Sequence, residues 1–155
     1  MRALLSTALI IALIGSSTPA GADDGGLLIV NKASEKCLTV GVGDNTMITQ
    51  WTCASGDAFQ RWELLGGDHV KIRNKATRAC LTVHGSGNGA LASAAPCDEA
   101  GRWRLADRKG RWWELRPAGT SRCLDLNAAS RSDGAAVQQW RCRRGANDNQ
   151  TWLLV

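Results

Sequence analysis

The sequence predicts an all-β body of three equivalent units arranged about a pseudo-threefold axis, and three observations carry that expectation. The decapeptides NKASEKCLTV (31–40) and NKATRACLTV (74–83) agree at seven of ten positions, and Cys37, Cys80 and Cys123 follow one another at intervals of 43 residues. Ahead of each cysteine the same two offsets are apolar, at Leu27 and Ile29, Val70 and Ile72, Trp113 and Leu115. Such alternation is the mark of a half-buried strand. Each unit also closes on a tryptophan with an apolar tail: QRWELL (60–65), GRWRLA (101–106) and QTWLLV (150–155). A unit of a few short strands has no second layer on which to bury its apolar face, so the three must close on one another.

In chain order, residues 1–22 read as a signal peptide. Arg2 supplies the positive start, residues 3–14 form an apolar run too short to span a bilayer, and Ala20, Gly21 and Ala22 suit cleavage. The remaining residues, 23–155, are the length of one domain with one core. Within each unit a strand leads to the CL strand, and the closing tryptophan begins another. Between them lie turn-forming clusters: GVGDN (41–45), GGD (66–68), GSGNG (85–89) and DRKG (107–110). No segment has the pattern of an amphipathic helix of useful length. Trp62, Trp103 and Trp152, the closing tryptophans, are expected in the core. Trp112 and Trp113 are adjacent on a strand, so they face opposite ways and one of them is expected to be exposed.

Six cysteines in an exported chain point to disulfides. Pairing within each unit respects the repeat: Cys37 with Cys53, Cys80 with Cys97, and Cys123 with Cys142. Each bridge closes a loop of about 15 to 20 residues and contributes about 3 kcal/mol in the chain-entropy model. No CxxC pair occurs, so no structural zinc site is expected. Nothing in the pattern calls for another metal or a cofactor. The formal charge of +5 on the full chain is mild and mostly arginine, which keeps a secreted domain soluble without specifying a polyanionic partner.

With the CL(D/T)(V/L) strand, the W-x-C that follows it, and the QxW of Gln60, Arg61, Trp62 and of Gln150, Thr151, Trp152, the chain resembles the ricin-type β-trefoil lectins. The middle copy departs from the motif, with Gly101, Arg102 and Trp103. The resemblance covers nearly all of residues 27–155 and implies twelve strands, a six-stranded barrel and a hairpin cap. It also implies one shallow saccharide site per intact repeat, built from an Asp, a Gln, an aromatic, an Asn and the QxW glutamine. The third repeat matches at every position, with Asp125, Gln138, Trp140, Asn149 and Gln150. The first has Thr39, Thr49 and Phe59 in place of the Asp, the Gln and the Asn, though Trp51 is kept. The second has Thr82, Ser93, Ala95 and Ala100. Both are expected to be scaffold copies.

The chemistry of a sugar calls for the same residue types independently. Its hydroxyls donate and accept, and its C–H face is mildly apolar, so a site needs a fixed acceptor, amides and a flat ring. The expected function is therefore a secreted carbohydrate-binding protein, for galactose-type or xylan-type sugars, with no catalytic activity. His69 and His84 fall in different repeats, and no nucleophile or metal motif is present. The chain begins and ends close to the lectin unit, so no tethered catalytic domain is expected. The expected partner is a saccharide or polysaccharide. A single shallow site binds a monosaccharide at about millimolar, near 4 kcal/mol, so avidity calls for oligomerisation or a repetitive target. Arg141, Arg143 and Arg144 flank Trp140 and form the densest basic cluster, suited to a solvated loop or to anionic glycans. Stacking aromatics are not interleaved with these arginines, so nucleic acid is not expected. Membrane insertion is not expected after leader cleavage. The alternative is a trefoil that binds protein, such as a protease inhibitor with Arg131 or Arg144 as its anchor.

Overall fold

The computed structural model describes residues 25–41, 45–107, 110–145 and 147–155. The expectation of a signal peptide at 1–22 falls outside them, as do the centres of the turns expected at 41–45 and 107–110. Twelve strands are present among the described residues, four to each repeat. The first repeat contributes β1 (Ile29–Asn31), β2 (Cys37–Val40), β3 (Ile48–Trp51) and β4 (Trp62–Gly66). The second contributes β5 (Val70–Asn74), β6 (Cys80–Val83), β7 (Ala92–Ala95) and β8 (Trp103–Asp107). The third contributes β9 (Trp112–Pro117), β10 (Arg122–Leu126), β11 (Val137–Arg141) and β12 (Trp152–Leu154). No helix among the described residues is long and apolar enough to cross a membrane.

Six of the strands form a ring. β1 pairs with β12, β12 with β9, β9 with β8, β8 with β5 and β5 with β4, all antiparallel. Leu27, just ahead of β1, closes the ring by exchanging backbone hydrogen bonds with Trp62 on β4, at 2.7 and 2.9 Å. The other six strands are the hairpins β2–β3, β6–β7 and β10–β11, which cap the ring. Isolated bridges join these hairpins cyclically: Met47 to Ser93, Leu91 to Gln138 and Ala136 to Thr49. The arrangement is a β-trefoil, and it removes the sheet edges that three separate units would expose.

The core follows the period-two pattern. Ile29, Ile72 and Leu115 are fully buried, as are Leu38, Leu81 and Leu124, the residues after the three repeat-defining cysteines. Trp62, Trp103 and Trp152 are also buried, and each indole N–H needs an acceptor that the core must supply. The repeat supplies it three times over. Trp62 donates to the Leu38 carbonyl at 3.0 Å, Trp103 to Leu81 at 2.9 Å and Trp152 to Leu124 at 3.0 Å. Each closing tryptophan thereby locks onto the CL strand of its own repeat.

The three disulfides are those expected, Cys37–Cys53, Cys80–Cys97 and Cys123–Cys142, with no free cysteine. Trp112 and Trp113 differ from expectation, because both are half-buried. Trp113 packs against the core, and the Lys32 ammonium sits 5.7 Å from the centre of the Trp112 ring, covering what would be the open face.

Candidate carbohydrate site

The third-repeat hairpin sets the position of Asp125. In the antiparallel register of β10 and β11, Asp125 lies opposite Gln138 and Cys123 opposite Trp140. Cross-strand partners share a face, so Asp125, Gln138 and Trp140 emerge on the same side. Leu124 and Leu126 point the other way into the core. Asn149 and Gln150 arrive from a one-turn 3₁₀ helix, Asp148–Gln150, which is pinned by the buried Trp152 that follows.

These amides converge on the carboxylate. Gln138 Nε2 donates to Asp125 Oδ1 at 2.9 Å, while Asn149 Nδ2 and Gln150 Nε2 donate to Oδ2 at 3.0 and 2.9 Å. Asp125 is only 2% exposed, and burial at that level is tolerable because three N–H groups replace the lost water. A carboxylate offers about four acceptor positions. The three donors leave one, and it is on Oδ1. Asn149 Nδ2 also donates to the Leu126 carbonyl at 3.1 Å, so both of its hydrogens are occupied and its Oδ1 is left to accept. Gln138 retains one N–H and its carbonyl oxygen.

A cleft of about 360 Å³ opens over this group. Asp125, Gln138, Trp140 and Asn149 all line it, together with Arg143 and the turn at Asn127, Ala128 and Ala129. Asp125 is the only carboxylate in the described lining, so the paired acids of a glycoside hydrolase are not assembled there. Gln150 does not line the cleft. It is 0% exposed and acts from behind. Besides holding Asp125, its Nε2 donates to the Arg141 carbonyl at 3.1 Å, and its Oε1 accepts the Arg143 backbone N–H at 2.9 Å. Asn147 Nδ2 donates to the same Oε1 at 3.3 Å and to the Arg143 carbonyl at 2.9 Å. Deeper still lies the buried Glu114, to which Arg116 Nε donates at 2.9 Å. Glu114 also groups closely with the sulfurs of Cys123 and Cys142, but both are oxidised to a disulfide and offer no thiolate to a metal.

Of the basic cluster expected beside Trp140, Arg143 is the member in the cleft wall; the turn at Asn127–Ala129 and the Glu114 and Asn147 support were not placed at the site by the sequence. The turn holds Ala128 at φ 53° and Ala129 at φ 50°. Left-handed backbone costs alanine about 1–2 kcal/mol per residue, and strain of this kind gathers at ligand clamps. Nothing in an Asn-Ala-Ala triplet signals it, because glycine or asparagine is the usual occupant of that conformation. Arg131, Arg141 and Arg144 are exposed, and so are His69 and His84, which were expected in different repeats but flank second-repeat strands, directly before β5 and directly after β6.

The equivalent positions of the first repeat surround a wider cleft of about 630 Å³. Trp51 lines it and is 47% exposed. The groups at the equivalent positions turn inward on themselves, although Asn45 and Asp57 also line the wall. Thr39 Oγ1 donates to the Cys37 carbonyl at 3.0 Å, and Trp51 Nε1 donates to Thr49 Oγ1 at 3.1 Å. Gln60 keeps the bracing bonds of Gln150, accepting from the Ala54 N–H at 2.8 Å and donating to the Thr52 carbonyl at 3.1 Å, but has no carboxylate to hold. In the second repeat Thr82 accepts from the Gly101 N–H at 3.3 Å, and the buried Ser93 hydroxyl has no partner among the described residues.

Comparison with known proteins agrees with the fold. The sequence profile of the ricin-type beta-trefoil lectin domain matches residues 68–155, and a second profile, ricin-type beta-trefoil lectin domain-like, matches residues 18–96. The chain belongs to the ricin-type β-trefoil lectin family. Membership makes it a carbohydrate-binding domain, and the lectin fold is shared with several solved structures. ThreeFoil, a designed threefold-symmetric protein, is 31% identical with a TM-score of 0.75, over 85% of this chain and 99% of its own. The ricin B-like lectin of Macrolepiota procera, solved with lactose, has a TM-score of 0.74 at 20% identity, over 83% of this chain and 92% of its own. An exo-β-1,3-galactanase from Clostridium thermocellum matches 86% of the lectin at 28% identity and a TM-score of 0.76, over only 30% of the enzyme's length. No curated protein matches the chain.

Proposed function

We propose that this lectin is a secreted saccharide-binding protein whose competent site is the third-repeat cleft, with Asp125, Gln138, Trp140 and Asn149 as contacts and Gln150 as the brace. The observation that carries the reading is the carboxylate held by three amides with one acceptor position left over, in the same cleft as an indole. Asp125 Oδ1 accepts one sugar hydroxyl, Gln138 donates to a second, and Asn149 Oδ1 accepts a third. Trp140 takes the C–H face of the ring. Galactose-type sugars are favoured, with xylan-type chains next. The lactose bound to the Macrolepiota lectin and the galactan acted on by the Clostridium enzyme support that order. Three intrachain disulfides suit an oxidising compartment, in agreement with a leader at residues 1–22.

A glycan screen of the wild-type chain beside Asp125→Ala tests the proposal. The variant is expected to lose at least tenfold in affinity for whichever sugar the wild type binds. Unchanged binding by the variant, with its far-ultraviolet circular dichroism intact, overturns the site.

A further inference from the structure

Every acid near the cleft is already engaged. Asp125 is held by its three amides, Asp148 is paired with Lys32 at 3.0 Å, and Glu114 is buried with Arg116. Arg143 is the exception among the charged groups of the lining. Its guanidinium forms no ion pair or hydrogen bond with the described residues, while its backbone is tied at both ends, N–H to Gln150 Oε1 and carbonyl to Asn147 Nδ2. One glutamine therefore fixes both the Arg143 main chain and the Asp125 acceptor, and the arginine fork is left open in the same cleft. Arg104, Arg131, Arg141 and Arg144 are also exposed, but none of them lines the cleft, and several other arginines are used within the fold. Arg61 donates to the Ser55 and Gly26 carbonyls, Arg73 to Glu63, and Arg122 to the Ser86 carbonyl and Asn88. The sister repeats carry no cation at this position. Ala54 makes the same backbone bond to Gln60 in the first, and Asp98 follows the cysteine in the second. Arg141 and Arg144, both exposed, add positive charge alongside, and residues 141–145 contain no acid.

We infer that the cleft selects an acidic saccharide, one whose bound pyranose carries a carboxylate or sulfate on the ring or on the adjoining sugar, and that Arg143 is the residue that selects it. The inference rests on the saccharide reading of the same cleft. A guanidinium without a protein partner presents a planar pair of N–H donors to the two oxygens of a carboxylate or sulfate, a geometry that a neutral hydroxyl does not fill.

The test compares two matched pairs of ligands. One is lactose and lactose sulfated on its galactose ring; the other is a neutral xylo-oligosaccharide and the same chain with a glucuronic acid branch. Wild type is expected to bind the acidic member about tenfold more tightly, with the preference shrinking as ionic strength rises from about 0.02 to about 0.5 M. The pair in which it does so tells sulfate from carboxylate. Arg143→Gln is expected to bring the acidic-to-neutral ratio close to one. Arg104→Gln, which removes an equal charge from an exposed position on β8 outside the cleft, is expected to keep it. Equal binding within both pairs by wild type, or a ratio that survives in Arg143→Gln, overturns the selection while leaving a neutral-sugar site standing. Failure of wild type to bind any of the four ligands overturns the saccharide reading and this inference together.

Discussion

The clefts of the first and third repeats are built on the same frame and end with opposite chemistry. Both have a disulfide behind the hairpin, a tryptophan two residues before its second cysteine, and a buried QxW glutamine bracing the turn after that cysteine. In the third, Asp125, Gln138 and Asn149 interlock and leave unfilled valences facing the cleft. In the first, Thr39 and Thr49 satisfy themselves locally and Phe59 replaces an amide, so the larger cavity offers an exposed indole with Asn45 and Asp57 in its wall, but no carboxylate held among side-chain amides. The frame is a property of the trefoil. On the proposed reading, recognition resides in three substitutable positions, and the glutamine of the QxW motif belongs to the frame.

Breaking the frames should separate stability from binding most strongly. Replacing both Cys123 and Cys142 by serine, or both Cys37 and Cys53, should cost about 3 kcal/mol in either case by denaturant unfolding. Only the former pair should abolish sugar binding, because Cys123 and Cys142 bracket the hairpin that joins Asp125 to Trp140. Next in size is Asp125→Ala, which leaves three buried amide donors without their acceptor. Alongside its loss of affinity it should unfold about 1–3 kcal/mol more easily, whereas Thr39→Ala should change stability by less than about 1 kcal/mol and binding not at all.

The comparison also separates what could be read in the residues from what could not. The strands and disulfides were legible because a spacing of 43 residues repeats the same cysteine and apolar offsets, and a feature written three times has few competing explanations. The meeting of Asp125 with Gln138 and Trp140 was legible through the resemblance to ricin-type lectins, and the strand register provides its physical reason. Long-range closures were not legible. Gln50 Nε2 donates to the carbonyls of Ser130 and Ser132, and Gln139 Nε2 to those of Gly85 and Gly87, so each clamps the hairpin loop of another repeat. These bonds join residues 52 to 82 positions apart and leave no local pattern. Gln150 could not be told from a ligand contact for a related reason: its role is decided by which side of Asp125 it approaches. The half-burial of Trp112 likewise depends on Lys32, which arrives from the other end of the chain.

A smaller effect sharpens the same contrast by construction. Thr39→Asp, Thr49→Gln and Phe59→Asn together should give the first repeat a site resembling the third, since Trp51 and Gln60 are already in place. Calorimetric titration should then report a second saccharide per chain at about millimolar affinity. If the stoichiometry stays at one, more than these positions distinguishes the clefts.

The smallest effect concerns the loop that joins the two. Asp133, from the third-repeat hairpin, bonds to Lys36 Nζ at 2.8 Å and to the Thr52 N–H at 2.7 Å beside the first cleft. Lys36 chiefly, with Thr52, holds the Asp133 carboxyl below the usual range. A carboxyl lowered in the folded state stabilises the fold above its unfolded pKa of about 3.9, and the gain disappears as pH falls through the lower folded value. Asp133→Asn should therefore differ slightly from wild type in thermal stability at neutral pH and converge with it in stronger acid.

Recognition by the third repeat requires that Trp140, not Trp51, meet the sugar. In a nitrogen-15 labelled sample the indole N–H groups of the seven tryptophans give separate signals that can be assigned by substitution. On titration with lactose, or with its sulfated form, the Trp140 signal should shift along a saturable curve while that of Trp51 stays in place. A shift at Trp51 with Trp140 unmoved would place recognition in the wrong repeat and contradict the account.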